Sequence, residues 1–247
     1  EILIGLVGSE MCIRDRVYRS KQDNDGNGYK GDVYGYNFVF ETGVISWDDI
    51  NDTGHGTHVA GVIAAQNNNG IGISSIAGGR GSIPGAKIMS CQIFSGGKGG
   101  TISTSVRAIK YAADNGASII QCSWGYPAGA VTTDNAYASG ARIEKQAIDY
   151  FIATKNNAVL DGGLVIFAAG NDAKAMSGYP GAYRDYISVT AFSPDYLPAY
   201  YTNYGPGCNV AAPGGDAYIS PSGSSAAQVL STLPSELYQS DYGYMQG

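Results

Sequence analysis

The sequence predicts an α/β fold with a doubly wound, mostly parallel sheet and helices on both faces. From Ala86 onward, short apolar runs alternate with amphipathic stretches, which is the pattern of β-α-β units. The run Gly163-Leu-Val-Ile-Phe-Ala-Ala169 has no polar alternation, as expected for a strand covered on both faces. In such sheets, ligands bind beyond the carboxyl ends of the strands.

The predicted elements follow one another in an order that alternates strand and helix. They are a strand over 87–94, a helix over 103–115, a strand over 117–122, a helix over 140–156, a strand over 163–169 and a strand over 186–191. The first helix carries Val106, Ile109 and Ala113 on one face, and Gly116 follows it as a C-cap. Parallel strands require a crossover of this kind. From about Ser177 the chain is turn-rich.

Composition excludes several classes of protein. The 247 residues are enough for one domain with a substantial core. With 15 Lys and Arg against 21 Asp and Glu, the net charge is −6, so no broad cationic face is expected and nucleic acid is not a predicted partner. No apolar run approaches the roughly 20 residues of a membrane span. The four cysteines lack metal-ligand spacing, and we expect Cys91 and Cys122 to be small buried residues.

The first sixteen residues differ from the rest. The stretch Val7-Gly-Ser-Glu-Met-Cys-Ile-Arg-Asp-Arg16 has neither helical nor strand periodicity and resembles translated sequencing-adapter read-through. We therefore predict that residues 1–16 are a non-native segment and exclude them from the fold. They do not resemble a signal peptide, because Glu1 is acidic and the apolar stretch is short.

Both histidines of the chain lie in one motif, Asn51-Asp-Thr-Gly-His-Gly-Thr-His-Val-Ala-Gly61. A histidine in the first turn of a rigid helix suits general acid/base chemistry, because its ordinary pKa lies near neutrality. Two other interpretations stay open at this point. His55 and His58 could bind zinc, although the motif has no Glu and no third ligand nearby, or they could be a structural pair.

A second candidate residue is Asn171, in Phe167-Ala-Ala-Gly-Asn171. Its amide would lie at the carboxyl end of the most buried strand, after a glycine that permits close approach. An amide in that place can donate a hydrogen bond to a developing oxyanion. The alternative is an asparagine that serves only a turn.

Six motifs occur together in one order along the chain. They are His55-Gly-Thr-His-Val-Ala-Gly61, Gly85-Ala-Lys87, Ser123-Trp-Gly125, Ala168-Ala-Gly-Asn171, Ala211-Ala-Pro-Gly214 and Ser231-Thr-Leu-Pro234. Over residues 22–247 this collinear set resembles the subtilisin-like serine proteases. The resemblance implies that His55 is the general base of a serine nucleophile, that His58 is a structural neighbour and that Asn171 is the side-chain donor of the oxyanion hole.

The resemblance also implies a substrate cleft for an extended polypeptide. One edge would be Ser123-Trp124-Gly125, where Trp124 stands in place of a smaller aliphatic residue and would narrow or reshape the pocket. Ala168 and Gly170 would lie near the pocket floor. The opposite edge would be residues 98–102, so that a peptide lies between two strands by β-augmentation. We assign Gly99, Gly100 and Thr101 to substrate binding there.

Two functional residues of the family find no match. The triad aspartate belongs in an apolar strand well before His55, and Asp23 and Asp25 lie in a downstream loop. The serine belongs to a Gly-Thr-Ser sequence and would itself lie two residues beyond Gly247. Ser225 precedes the Ser-Thr-Leu-Pro motif and is not its equivalent. We therefore interpret residues 17–247 as a partial peptidase domain, without the Asp-bearing strand and the Ser-bearing helix, that is inactive by itself.

The remaining expectations concern ligands, partners and location. The chemistry needs no cofactor and no catalytic metal, and any calcium is expected to be structural, at Asp23–Asp32 or Gln66–Gly70. We expect a monomer that acts on polypeptides outside the cell or at its surface, by family resemblance. The alternative is a non-catalytic pseudoprotease that binds peptides along the same two edges.

Overall fold

The computed structural model describes residues 2–8, 22–23, 25–46, 53–156, 160–219, 225–238 and 240–247. Its strands are β1 (Ile2–Gly8), β2 (Gly35–Asn37), β3 (Ala86–Gln92), β4 (Phe94–Ser95), β5 (Lys98–Gly99), β6 (Ile119–Cys122), β7 (Leu164–Ala168), β8 (Ile187–Phe192), β9 (Val210–Pro213), β10 (Val229–Thr232) and β11 (Tyr242–Met245). Its α-helices are α1 (His55–Ala64), α2 (Ile102–Asp114), α3 (Asp134–Gly140), α4 (Arg142–Ala153) and α5 (Ser235–Tyr238).

These elements are distributed over two compact units. Unit 1 comprises the described residues of Glu1–Ile120, Ala147–Leu164 and Thr232–Tyr242. Unit 2 comprises those of Gln121–Gln146, Val165–Ser231 and Gly243–Gly247. Each unit draws on separated stretches of the chain, so neither is a continuous segment of sequence.

In unit 1, strand β3 pairs with a neighbour on each side. It is parallel to β2, with Gly35 opposite Ser90, and antiparallel to β1, with Ile2 opposite Gln92. Helix α2 contributes Ile109 to the core, where it is fully buried. Tyr111 of this helix packs edge to face on the rings of Tyr29 and Phe38, and Tyr36 packs in the same way on Phe38. Such ring pairs add directional contacts to the burial of apolar area.

Strand β1 is a departure from the sequence prediction. We excluded residues 1–16 from the fold, yet Ile2–Gly8 form a strand that pairs with β3 from Gly8 opposite Ala86 to Ile2 opposite Gln92. The short apolar run Ile2-Leu-Ile-Gly-Leu-Val7 is compatible with a strand even without alternation. Residues 9–16 lie outside the described residues, so the non-native origin of the segment stays a prediction.

In unit 2, strands β7, β8 and β9 form a parallel ladder in that order. Val165 and Phe167 of β7 are buried, whereas Leu164 is 38% exposed and Ile166 and Ala168 are half-buried, so the predicted full cover on both faces is found on one face only. Since parallel pairing prevails in this ladder and joins β2 to β3, the predicted mostly parallel α/β class is confirmed.

One helix was not predicted. The single helix predicted over 140–156 is observed as α4 (Arg142–Ala153), and α3 (Asp134–Gly140) lies just before it. Thr133 caps α3 by accepting a hydrogen bond from the N–H of Ala136, 3.1 Å away. Helix α3 was missed because its seven residues bury only Tyr137 and so give no periodic signal. Among the described residues, none of the helices combines the length and hydrophobicity that a bilayer crossing requires.

Candidate active site

In unit 1, His55 is the first residue of helix α1, and the residue before it is a glycine for a steric reason. Gly54 adopts a left-handed conformation with φ 63°. A Cβ at this position would lie 2.8 Å from Cδ of Pro234. Only glycine therefore allows the chain to enter the helix this close to the Ser231-Thr-Leu-Pro234 motif.

Two hydrogen bonds hold the start of this helix. The hydroxyl of Thr232 donates to the carbonyl of Thr57 over 2.9 Å, and the phenol of Tyr238 donates to the carbonyl of Thr53 over 2.7 Å. The histidine motif and the Ser-Thr-Leu-Pro motif, which were identified separately in the sequence, thus come into contact in unit 1. The first supplies the imidazole of His55, and Thr232 of the second donates a hydrogen bond to the first turn of its helix. His55 is half-buried, while His58 is 5% exposed, as expected of a structural neighbour.

The predicted substrate edge of unit 1 is a tight hairpin that leads into α2. Gly99 pairs with Phe94. A Cβ on Gly99 would lie 2.2 Å from the carbonyl oxygen of Ile93, and a Cβ on Gly100 would lie 2.2 Å from the ring of Phe94. Both glycines have positive φ, 93° and 67°. Their backbone is exposed, so it is accessible to an extended peptide.

Thr101 has a second role that the sequence did not indicate. It is the N-cap of α2: its hydroxyl accepts from the N–H of Thr104 over 3.2 Å, and the hydroxyl of Thr104 accepts from the N–H of Thr101 over 3.1 Å. This reciprocal pair is a capping box. The side chain of Thr101 therefore serves the helix, and its carbonyl also belongs to the first helical turn.

In unit 2, Ala168 ends strand β7, and Gly170 and Asn171 follow it at the carboxyl end. Gly170 has φ 105°, and a Cβ there would lie 2.5 Å from Nδ2 of Asn203. The side chain of Asn171 is exposed at this edge, where a ligand of a parallel sheet is expected. A Cβ placed on Gly247 would lie 3.5 Å from Nδ2 of Asn171, so the end of the described chain lies beside this amide.

The second edge follows strand β6 without regular structure. The hydroxyl of Ser123 accepts a hydrogen bond from Nε2 of Gln121 over 2.7 Å. The ring of Trp124 packs edge to face on Phe167, with 5.6 Å between centroids. Its buried Nε1 has no hydrogen-bond acceptor among the described residues. Gly125 is exposed, and a Cβ on it would lie 3.1 Å from the carbonyl oxygen of Tyr179.

The structure thus assembles the predicted residues in two groups. Unit 1 carries His55 with the edge 99–101, and unit 2 carries Asn171 with Ala168, Gly170 and the edge 123–125. The expectation that His55 and Asn171 face one scissile carbonyl stays a prediction. Sequence reasoning missed Asn203, which is 0% exposed and contacts the loop of Asn171. In the sequence, Asn203 is distinguished only by its position shortly before a Gly-Pro-Gly turn. An asparagine that serves only in a turn would occupy the same kind of position.

The two predicted calcium loops are held by their own hydrogen bonds. In the first, the N–H groups of Gly28 and Gly26 donate to the carboxylate of Asp23, over 2.8 Å each, and the Gly28 bond is the main cause of the lowered pKa of Asp23. The amide of Asn27 donates to Asp25 and Asp32.

In the second loop, Asn67 is similarly engaged. Its Nδ2 donates to the carbonyl of Ser75 over 3.2 Å, and its Oδ1 accepts from the N–H of Ser75 over 2.7 Å. Across the part of the chain that the structure describes, no three His, Cys, Asp or Glu side chains are grouped so that they could hold a metal ion. Calcium therefore stays a prediction, and the zinc alternative at His55 and His58 finds no third ligand in that part.

Comparison with known families decides the identity of the fold. Residues 31–247 match the model of the subtilase family, peptidase S8. The chain belongs to the subtilase family. This match includes every predicted catalytic and substrate-binding residue, from His55 to Asn171.

The subtilase relatives and solved structures agree with this result. The chain is 32% identical over 217 residues to the thermophilic serine proteinase of Bacillus sp. strain AK1, covering 87% of this chain and 46% of the relative. It is 32% identical over 190 residues to thermitase of Thermoactinomyces vulgaris, covering 77% of this chain and 55% of thermitase. The chain thus spans about half the length of these relatives.

Among solved structures, the nisin leader peptidase NisP of Lactococcus lactis superimposes with a TM-score of 0.58 at 22% identity. That match covers 87% of this chain and 66% of NisP. A lanthipeptide protease gives a TM-score of 0.61 at 19% identity, covering 87% of this chain and 61% of the protease. At these identities the structures show the fold alone, and that fold is subtilisin-like.

Proposed function

We propose that this subtilase is a serine endopeptidase that cleaves polypeptides by acyl transfer. His55 acts as the general base that takes the proton of the serine nucleophile, and the amide of Asn171 donates to the oxyanion. The serine and the triad aspartate are contributed by sequence outside these 247 residues, which are inactive by themselves. Trp124 narrows the specificity pocket. The protein acts as a monomer, outside the cell or at its surface.

One observation carries the proposal more than any other. By the family resemblance Gly247 corresponds to the glycine of the Gly-Thr-Ser sequence, and a Cβ placed on Gly247 would lie 3.5 Å from Nδ2 of Asn171 within unit 2. A serine two residues further along would have its Cα within about 7 Å of the Cα of Gly247, since successive Cα atoms are about 3.8 Å apart. An oxyanion donor is effective only when it lies close to the carbon that the serine attacks.

The test uses a gene product extended at both ends to include the missing sequence. We expect this protein to hydrolyse peptides and to be labelled covalently by a serine-directed phosphonate. His55→Ala abolishes turnover, and Asn171→Ala lowers kcat by about 10²–10³-fold, the range documented for the oxyanion asparagine of subtilisin itself. Asn135→Ala is the matched control, because Asn135 is also exposed but lies on α3.

The outcome that contradicts the proposal is equally defined. An extended protein that binds peptides along the two edges without hydrolysing them and without phosphonate labelling would be a non-catalytic peptide-binding subtilase. A chain whose native sequence on both sides supplies neither the aspartate nor the serine would lead to the same conclusion.

A further inference from the structure

The side chain of Asn203 is fully buried and is bonded entirely to the loop that carries Asn171. Its Nδ2 donates to the carbonyl of Ala169 over 2.9 Å and to Oδ2 of Asp172 over 3.2 Å. Its Oδ1 accepts from the N–H groups of Asp172 and Lys174, over 3.1 and 3.0 Å. A carboxamide has two donor hydrogens and two acceptor lone pairs, so this amide is saturated by the loop.

These bonds enclose Asn171 on both sides along the chain. Ala169 precedes it and Asp172 follows it, and the backbone N–H of Asn203 also donates to the carbonyl of Gly170 over 3.1 Å. The direction of the exposed Asn171 amide therefore depends on a backbone that one buried side chain holds. The absence of a Cβ at Gly170 makes room for Nδ2 of Asn203.

The same network reaches the second edge of unit 2. Oδ2 of Asp172 accepts from the N–H of Ala128 over 3.1 Å, three residues after Gly125. On its other side, the carbonyl of Asn203 accepts a hydrogen bond from the hydroxyl of Thr190, which belongs to strand β8. Asn203 thus connects a rigid strand to both the Asn171 loop and the segment that follows the predicted substrate edge.

From this geometry we propose that Asn203 is a positioning residue of the oxyanion site: it acts through Asn171 by fixing the loop around it. The inference rests on the proposed function and assigns a further residue to the same reaction. A positioning residue affects the transition state more than the ground state, because a displaced oxyanion donor weakens only the interaction that forms as charge develops.

The first test compares variants in the extended protein. Asn203→Ala is expected to lower kcat by about tenfold to 100-fold with KM changed less than about threefold. Asn203→Asp has the same shape and keeps the acceptor for Asp172 and Lys174, but as a carboxylate it cannot donate to Ala169 and it repels Oδ2 of Asp172, so it is expected to lower kcat as well. It also carries the test should the alanine variant not fold.

The matched control is Asn37→Ala. Asn37 is 1% exposed, and its side chain also makes several hydrogen bonds, to Val44 and Gln92 among others, but it lies in unit 1. Its removal is expected to destabilise the fold to a similar extent while kcat stays within about threefold of the parent. An equal loss of kcat in both variants would overturn the inference.

A double-mutant cycle separates positioning from general destabilisation. If Asn203 acts through Asn171, then Asn203→Ala in an Asn171→Ala background lowers kcat by less than about threefold further. A full additional loss, as large as in the parent, would show that Asn203 acts independently and would refute the inference.

Hydrogen exchange distinguishes failure of this inference from failure of the proposed function. In the 247-residue chain, Asn203→Ala is expected to speed exchange of the N–H groups of Asp172 and Lys174 by at least about tenfold, whereas Asn37→Ala leaves them unchanged. Unchanged exchange in Asn203→Ala refutes the positioning role whatever the activity. An extended parent that is inactive and unlabelled refutes the proposed function, while the exchange result still tests the loop.

Discussion

Two independent features of the structure require glycine at position 170. Its φ of 105° is unfavourable for any residue with a Cβ, and that Cβ would lie 2.5 Å from Nδ2 of Asn203 and 3.3 Å from Oδ2 of Asp172. Gly170→Ala is therefore expected to lower the free energy of unfolding by about 2–4 kcal/mol, measured by urea denaturation. The effect combines backbone strain with displacement of a buried amide.

The control for this prediction is Gly129→Ala, also in unit 2. Gly129 has a similar φ of 94°, but nothing lies within 4 Å of the position its Cβ would take. Its replacement involves backbone strain alone and is expected to cost about 1 kcal/mol. Equal losses at the two positions would mean that the contact with Asn203 contributes nothing.

At this scale the sequence identifies residues by motif but not by environment. His55 and Asn171 could be assigned because each lies in a motif with a recognisable chemical purpose. Asn203 could not, since a buried asparagine and a turn asparagine look alike in one sequence. Its role depends on a contact across 31 residues of chain, between Asp172 and Asn203.

At the scale of elements, the capping box of α2 allows a separate prediction. Thr101→Ala removes the acceptor for the N–H of Thr104 and is expected to lower the free energy of unfolding by about 1 kcal/mol. Thr101→Ser keeps the hydroxyl and is expected to change it by less than about 0.5 kcal/mol. Chemical denaturation of the two variants checks this difference. If serine were as damaging as alanine, the methyl group rather than the hydrogen bond would be the stabilising part of Thr101.

Elements with a strong periodic pattern were predicted closely. The helix expected over 103–115 is observed as Ile102–Asp114, and the strand expected over 163–169 as Leu164–Ala168. Both combine an apolar pattern with clear end signals, such as Gly116 after the helix. The short elements escaped prediction, because α3 has only seven residues and β5 only two. The antiparallel direction of β1 depends on a partner far along the chain, which no local pattern encodes.

At the scale of the whole molecule, the chain has 19 tyrosines, and several are buried. Burial is the main cause that raises the pKa of both Tyr179 and Tyr201 to about 12, above the ordinary value of a tyrosine, which is about 10. Tyr179 also donates to Asp134 over 2.9 Å, and Tyr201 donates to the carbonyl of Gly215 over 2.8 Å. Burial raises the pKa of Tyr111, Tyr126 and Tyr137 in the same direction.

These shifts predict unfolding at alkaline pH. Because the folded state holds the phenolic protons more tightly than the unfolded chain, the stabilisation is complete below pH 10 and is lost as the pH rises through about 12. Circular dichroism and phenolate absorbance are expected to change together over this range. Tyr201→Phe removes one shifted group and makes the fall in the free energy of unfolding with pH shallower. If the phenolate absorbance rose to completion, reversibly, while the circular dichroism spectrum of the folded protein stayed unchanged, burial would not control the ionisation. The predicted coupling between phenol ionisation and unfolding would then be wrong.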